Sequence, residues 1–171
     1  AVSQSPTTAA SLPPTPALSI GVPEPKMRVG VQNTENARIT VNIPYTILND
    51  QNVAVGTLAT GVVGELMLDA ATNGEVFKAG DLYLNAPYFR LEPTDWATGV
   101  FTVINFENRL KWDKSKNNNA YRGAVELRVS IYGNAWLVNE ILLDDYIKGI
   151  DEVPNVWASE FHKAQAIAAR S

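Results

Sequence analysis

Glu152 is the residue of this chain best placed for proton chemistry. It stands in Asp151-Glu152-Val153-Pro154-Asn155-Val156-Trp157, between a second carboxylate and an apolar run. A carboxyl held against apolar and aromatic surface loses the hydration its anion needs, so its pKa rises. Val153, Pro154 and Trp157 can supply that surface, and the charge of Asp151 acts in the same direction where the two side chains point together. A carboxylic acid that keeps its proton near neutrality is a general acid. Without that environment, Glu152 is a solvated loop carboxylate beside a helix start. The pair Asp144-Asp145 invites an acid/base or metal reading, but at the start of a helix two acids simply complement the N-terminal dipole. That reading is preferred, with Asp145 available to anchor the loop bearing Glu152. His162 is the single histidine and cysteine is absent. One imidazole does not make a zinc site, so His162 is read as a helix-surface residue, and no metal or cofactor is expected.

The elements that must position these residues follow from periodicity and turn chemistry. Residues 1–26 carry Pro6, Pro13, Pro14, Pro16, Pro23 and Pro25 among Ser, Thr and Ala, which predicts an extended linker. Residues 27–107 form a β-rich region. Met27 to Val31 and Ala37 to Ile43 alternate apolar and polar side chains. Asn49-Asp50-Gln51-Asn52 between Tyr45–Leu48 and Val53–Val55 reads as a hairpin turn, and Asn73-Gly74 reads as a two-residue one. Gly99 to Ile104, Gly123 to Ile131 and, beyond the turn Gly133-Asn134, Ala135 to Asn139 continue the series. The whole amounts to about eight to ten antiparallel strands. Between Asn108 and Ala120, Lys111, Lys114, Lys116 and Asn117-Asn118-Asn119 predict a polar, mobile loop. Two helices close the chain, over 141–148 and 158–170. In the second, small residues lie on two faces (Ala164 with Ala168, Gln165 with Ala169), which predicts close approach to neighbours and a buried position. The fold class is therefore α+β, a mostly antiparallel β region followed by two C-terminal helices.

At 171 residues the chain fits one ordinary domain, or one domain with a small appendage, and its 46% hydrophobic content permits a core. A net charge of −4 without a basic block argues against nucleic acid or an anionic membrane as the main partner. No apolar run reaches the roughly 18–20 residues of a membrane span. Ala1 followed by a Ser/Thr/Pro stretch is what signal-peptide removal leaves, which favours a secreted, periplasmic or cell-surface protein.

Residues 108–171 carry three further strings. Leu143-Asp144-Asp145-Tyr146-Ile147-Lys148-Gly149 has the form L-x-D-Y-x-K-G, Glu152 to Trp157 has the form E-x-P-x-x-W, and Lys163 to Arg170 reads K-A-Q-A-x-A-A-R. Tyr121-Arg122-Gly123 and Trp136-Leu137-Val138-Asn139-Glu140 precede them. In these strings the chain resembles the stage II sporulation protein D family, also called the amidase-enhancer family of peptidoglycan-acting proteins. The likeness is strongest over 121–171; over 27–106 it is one of position and pattern. Two departures stand out: only Ile150 and Asp151 separate Gly149 from Glu152, and Ala158 follows the tryptophan where the family has proline. The family's domain also runs on past its A-A-R, so Ser171 is expected to be a truncation or cleavage point.

The resemblance implies a lytic transglycosylase, or part of one, that cleaves peptidoglycan glycan strands. Glu152 would be the catalytic acid that protonates the glycosidic oxygen and then the base that deprotonates the muramyl 6-hydroxyl, leaving a 1,6-anhydro sugar. Arg170 would be a further active-site residue, and Trp157, Lys163 and Gln165 would contact substrate or the Glu152 loop, with core packing equally open for Trp157. The implied partners are glycan strands and a cell-wall amidase. The alternatives are a noncatalytic peptidoglycan-binding or amidase-enhancing module, and a structural surface protein that reuses the domain.

Overall fold

The computed structural model describes residues 23–109, 114–149 and 158–170, with the side chains of Ala169 and Arg170 left out. The architecture is α+β: among the described residues, twelve strands in two antiparallel sheets are followed by two helices. In chain order the strands are β1 (Lys26–Asn33), β2 (Asn36–Val41), β3 (Tyr45–Asn49), β4 (Ala54–Leu58), β5 (Gly64–Asp69) and β6 (Gly74–Ala79). There follow β7 (Leu82–Ala86), β8 (Phe89–Pro93), β9 (Val100–Val103), β10 (Ala120–Arg122), β11 (Ala124–Val129) and β12 (Ala135–Leu142). The helices are α1 (Leu143–Gly149) and α2 (Ser159–Arg170).

One sheet runs β1-β12-β11-β8-β3-β4 and the other β10-β9-β2-β5-β6-β7. The alternation read in β2 is observed: Ala37, Ile39 and Val41 are buried while Arg38 and Thr40 point away from the core. Tyr45, Ile47, Phe89, Leu91, Leu127 and Leu137 of the first sheet share the core with Ala37, Ile39, Leu66, Phe77, Phe101 and Val103 of the second. Phe77 and Phe89 meet edge to face, 6.3 Å between centroids. Each buried Leu, Ile, Val or Phe among these contributes about 1.5–3 kcal/mol.

The outward face of the first sheet is not apolar, yet parts of it are closed to solvent. Glu126 is 1% exposed because Arg28 and Arg128 both pair with it, Arg128 at 2.6 Å. Arg90 grips Glu140 with both terminal nitrogens, at 2.7 and 2.8 Å, and its Nε reaches Glu92 at 2.7 Å. Lys26 lies 3.6 Å from Glu140 and also sits over the ring of Trp96. This explains why β11 is buried from Ala124 to Leu127 instead of alternating.

Several boundaries differ from the sequence reading. The strand count exceeds the expected eight to ten because β7, β8 and β10 are short, and Asn85, Pro87 and Pro93 obscure the first two. The β5–β6 connection is a four-residue loop in which Asn73, at φ 58°, takes the left-handed conformation and Gly74 does not. Asp69 organises it by accepting from the Ala71 N–H and the Thr72 hydroxyl. The first helix begins at Leu143, since Ile141 and Leu142 are still paired with Met27 and Lys26 in β12–β1. The second helix packs against α1, but its described side chains are exposed or half-exposed, with Phe161 at 56% and Ile167 at 68%. The expected central burial is not observed; an alanine-rich helix buries little area of its own and acquires burial only from bulky neighbours.

Candidate functional site

The chain changes sheets at Tyr121-Arg122-Gly123, and this corner borders a polar cleft. Strand β10 pairs with β9 in the second sheet, while β11 pairs with β12 and β8 in the first. Gly123 makes the turn at φ +89°, where a Cβ would lie 2.2 Å from the carbonyl oxygen of Glu140. Only glycine fits there. Three bonds hold the corner: Gly123 N–H to Gly99 O at 3.1 Å, Tyr45 OH to Gly123 O at 2.9 Å, and Asn139 Nδ2 to Arg122 O at 2.7 Å. Asn139 Nδ2 also reaches Ala124 O at 3.0 Å, so one buried amide spans the corner.

Beside this corner lies a polar cleft of about 870 Å³ lined by Asn118, Tyr121, Arg122 and Asn139 together with Asp145 and Lys148 of α1. A second hollow of about 420 Å³ shares Tyr121, Asn139 and Asp145 and continues past Tyr146 to Val29 and Gly30. Tyr121 is fixed in both by the Phe101 ring, 5.5 Å away, and by its hydroxyl donating to Asn118 O at 3.0 Å. Burial pushes its phenol pKa up. Lys148 pairs with Asp145 at 2.9 Å, which raises the pKa of the ammonium.

The described residues of the polar segment expected to be mobile contribute Asn108, Asn117, Asn118 and Ala120 to the lining of the cleft. Asn117 Oδ1 accepts the Asn108 N–H at 2.7 Å, Asn108 Nδ2 donates to Asn118 O, and Asn119 Nδ2 donates to Val103 O at 2.8 Å. The asparagine run thus supplies backbone partners that a strand ladder would otherwise provide. Lys111 lies outside the described residues.

Helix α1 is tied to the start of the described chain. Glu24 Oε1 accepts the Asp144 N–H at 2.7 Å, and Pro25 O accepts the Leu143 N–H at 2.9 Å. Glu24 acts as the cap, and Asp144 and Asp145 fill the acidic first turn expected of them.

Glu152 and Trp157 lie outside the described residues, between the end of α1 and the start of α2. Arg170 closes α2, its side chain undescribed. Lys163 is exposed and pairs with Glu160 at 3.2 Å, and Gln165 is half-buried; neither is among the described residues of the cleft wall. His162 is half-buried on α2. In sequence Tyr121, Arg122, Asn118 and Asn139 stand out only as parts of a motif or loop. The one signal for them was a cation placed directly before the glycine of a strand-to-strand corner. Among the described residues no group of acids and histidines could hold a metal ion, and no helix is long and apolar enough to cross a membrane. No family model, curated protein or solved structure matches the chain.

Proposed function

We propose that this is a peptidoglycan-acting protein of the cell wall or cell surface, a lytic transglycosylase with Glu152 as its acid and base. The observation that carries the reading is the order of elements at the C-terminal end. The L-x-D-Y-x-K-G string forms α1, the K-A-Q-A-x-A-A-R string forms α2 and packs on it, and the segment bearing Glu152 joins them. Gly149, where that segment begins, is itself part of the polar cleft wall. A cleft of this size, open and lined by amides, a tyrosine and an arginine, suits a hydroxyl-rich polymer better than an apolar ligand.

In this mechanism a protonated Glu152 donates to the leaving glycosidic oxygen. The resulting carboxylate takes the proton of the muramyl 6-hydroxyl as that oxygen closes on C1. One carboxyl then suffices where ordinary glycosidases need two. The test is product analysis on purified glycan strands by mass spectrometry. Anhydro-muramyl ends are expected with the native chain. Glu152→Gln is expected to lower their rate by about 10²–10⁴-fold, the usual contribution of a general acid/base. Strand binding without anhydro products would replace this reading with that of a noncatalytic binding or amidase-enhancing module.

A further inference from the structure

We infer that the tip of the β11–β12 hairpin and the acidic hollow beside it form a docking surface for a partner protein, one that presents apolar side chains flanked by lysine or arginine. The surface lies at the opposite end of β12 from α1 and does not depend on the glycan-strand reading.

Ile131 and Tyr132 stand at the tip, 93% and 83% exposed. Nothing in the turn calls for them. The Gly133 N–H donates to Ser130 O at 2.9 Å, the Ser130 N–H to Asn134 O at 2.8 Å, and Gly133 takes the left-handed conformation at φ 80°. Such a turn needs its glycine, whereas its central positions favour small polar residues over a β-branched or aromatic one. The tip is also rigid. Val129 pairs with Ala135 at its base, and Leu127 and Leu137 just below are in the core. Two large apolar side chains are therefore held out in water on a fixed support, with no packing return inside the chain. That is the arrangement of an anchor that fills a pocket on a partner at low ordering cost.

Charge decides what kind of partner. The exposed Val129 leads from the tip to a hollow of about 210 Å³, whose described lining includes Glu35, Asp69 and Asn73 and no lysine or arginine. The Thr72 hydroxyl and the Ala71 N–H hold the Asp69 carboxyl below its ordinary pKa, so it stays charged. Arg128, on the same strand, does not offset these acids: Glu126 engages it at 2.6 Å and it lies over the ring of Tyr88. A fixed apolar tip beside uncompensated carboxylates complements a basic segment with apolar side chains. The same carboxylates repel the anionic surface of a bilayer.

The experiment is an NMR titration of the isotope-labelled full chain with a capped heptapeptide alternating lysine and leucine, at about physiological salt so that long-range attraction is screened. Amide shifts are expected at 129–134 and around Glu35 and Asp69, with a dissociation constant of about 10⁻⁴ M. The combined change Ile131→Ser and Tyr132→Ser should weaken binding about tenfold, and Glu35→Gln about threefold. Melting curves check each fold; exposed changes of this kind are expected to leave stability nearly unmoved. Should the double variant unfold, Ile131→Ser alone and Glu35→Gln carry the test. Peptides alternating lysine with serine, or glutamate with leucine, should bind at least tenfold more weakly. No binding, equal binding of the three peptides, or shifts confined to other acids overturns the inference. So does binding of neutral phosphatidylcholine vesicles in place of the peptide, which would make the tip a membrane contact. Self-association of the chain, lost in the double variant, would make a second copy the occupant and overturn it as well.

Discussion

Glu75 sits 3% exposed at the start of β6, where its carboxylate accepts the Phe89 N–H at 2.7 Å. Burial pushes its pKa up, from an ordinary 4.5 to about 8, against the lowering effects of the Phe89 bond and of Arg128; Glu126 adds to the rise. The folded value lies above the unfolded one. Its contribution to stability is therefore complete below about pH 4.5 and disappears as pH climbs to about 8. Glu140 behaves oppositely: the Arg90 fork holds its pKa below the usual carboxylate range, so its contribution is lost only as the solution becomes acidic. Stability should therefore peak in weak acid and decline toward pH 8. Glu75→Gln, which keeps an acceptor for Phe89, is expected to flatten that decline in melting curves recorded between pH 5 and 8. An unchanged slope would show that Glu75 is ionised throughout. Gly123 gives a second prediction at this scale. Alanine there meets both a left-handed φ and the Glu140 carbonyl, so Gly123→Ala should cost about 2–4 kcal/mol in urea denaturation. A loss under about 0.5 kcal/mol, the range of ordinary surface changes, would mean the corner can relax.

At the scale of elements, the outward face of the first sheet depends on arginine–glutamate pairs between neighbouring strands. Arg90→Met removes the fork on Glu140 and the bond to Glu92 while keeping much of the side-chain bulk. About 2 kcal/mol should be lost, since hydrogen bonds to charged groups contribute more than neutral ones. The loss should shrink toward low pH, where Glu140 is protonated in either chain; a loss independent of pH would point to packing alone. These pairs mark where sequence reading stopped. Alternation in β2, the turn at Asn49–Asn52 and the Gly133 turn were legible because each depends on residues close in the chain. The role of Arg90 was not, since its partner Glu140 lies 50 positions away. The asparagine run reads as a loop in sequence because its bonds are made by side chains and not by an alternating ladder: Asn117 Oδ1 accepts the Asn108 N–H and Asn119 Nδ2 donates to Val103 O. Helix α2 was placed correctly by its small-residue string, but its environment was not, because propensity says nothing about what lies alongside.

On the scale of the whole molecule, the two ends of the described chain are joined. Strand β1 pairs with β12 along nearly its full length, and the residues before it cap α1, so the helix that borders the cleft is held by the opposite end of the sequence. The candidate site was only partly legible for this reason. The C-terminal strings behind the proposed function pointed to Glu152 and the helices beside it, whereas the cleft is lined by β10, β12, α1 and a loop, with the sheet change at Gly123 beside them. A chain that starts at Thr34 would lack β1. It would leave the β12 edge open, remove Arg28 from the buried Glu126 and Lys26 from Glu140, and take Glu24 away from α1. Taking one partner from a buried charge is costly, and an uncovered long edge strand invites association between chains. The truncated chain is therefore expected to lose its cooperative thermal transition and to aggregate in size-exclusion chromatography. If it instead stays monomeric and melts within about 3 °C of the full chain, equal to roughly 1 kcal/mol at this size, then β1 is an accessory strand and α1 is held from the β12 side alone.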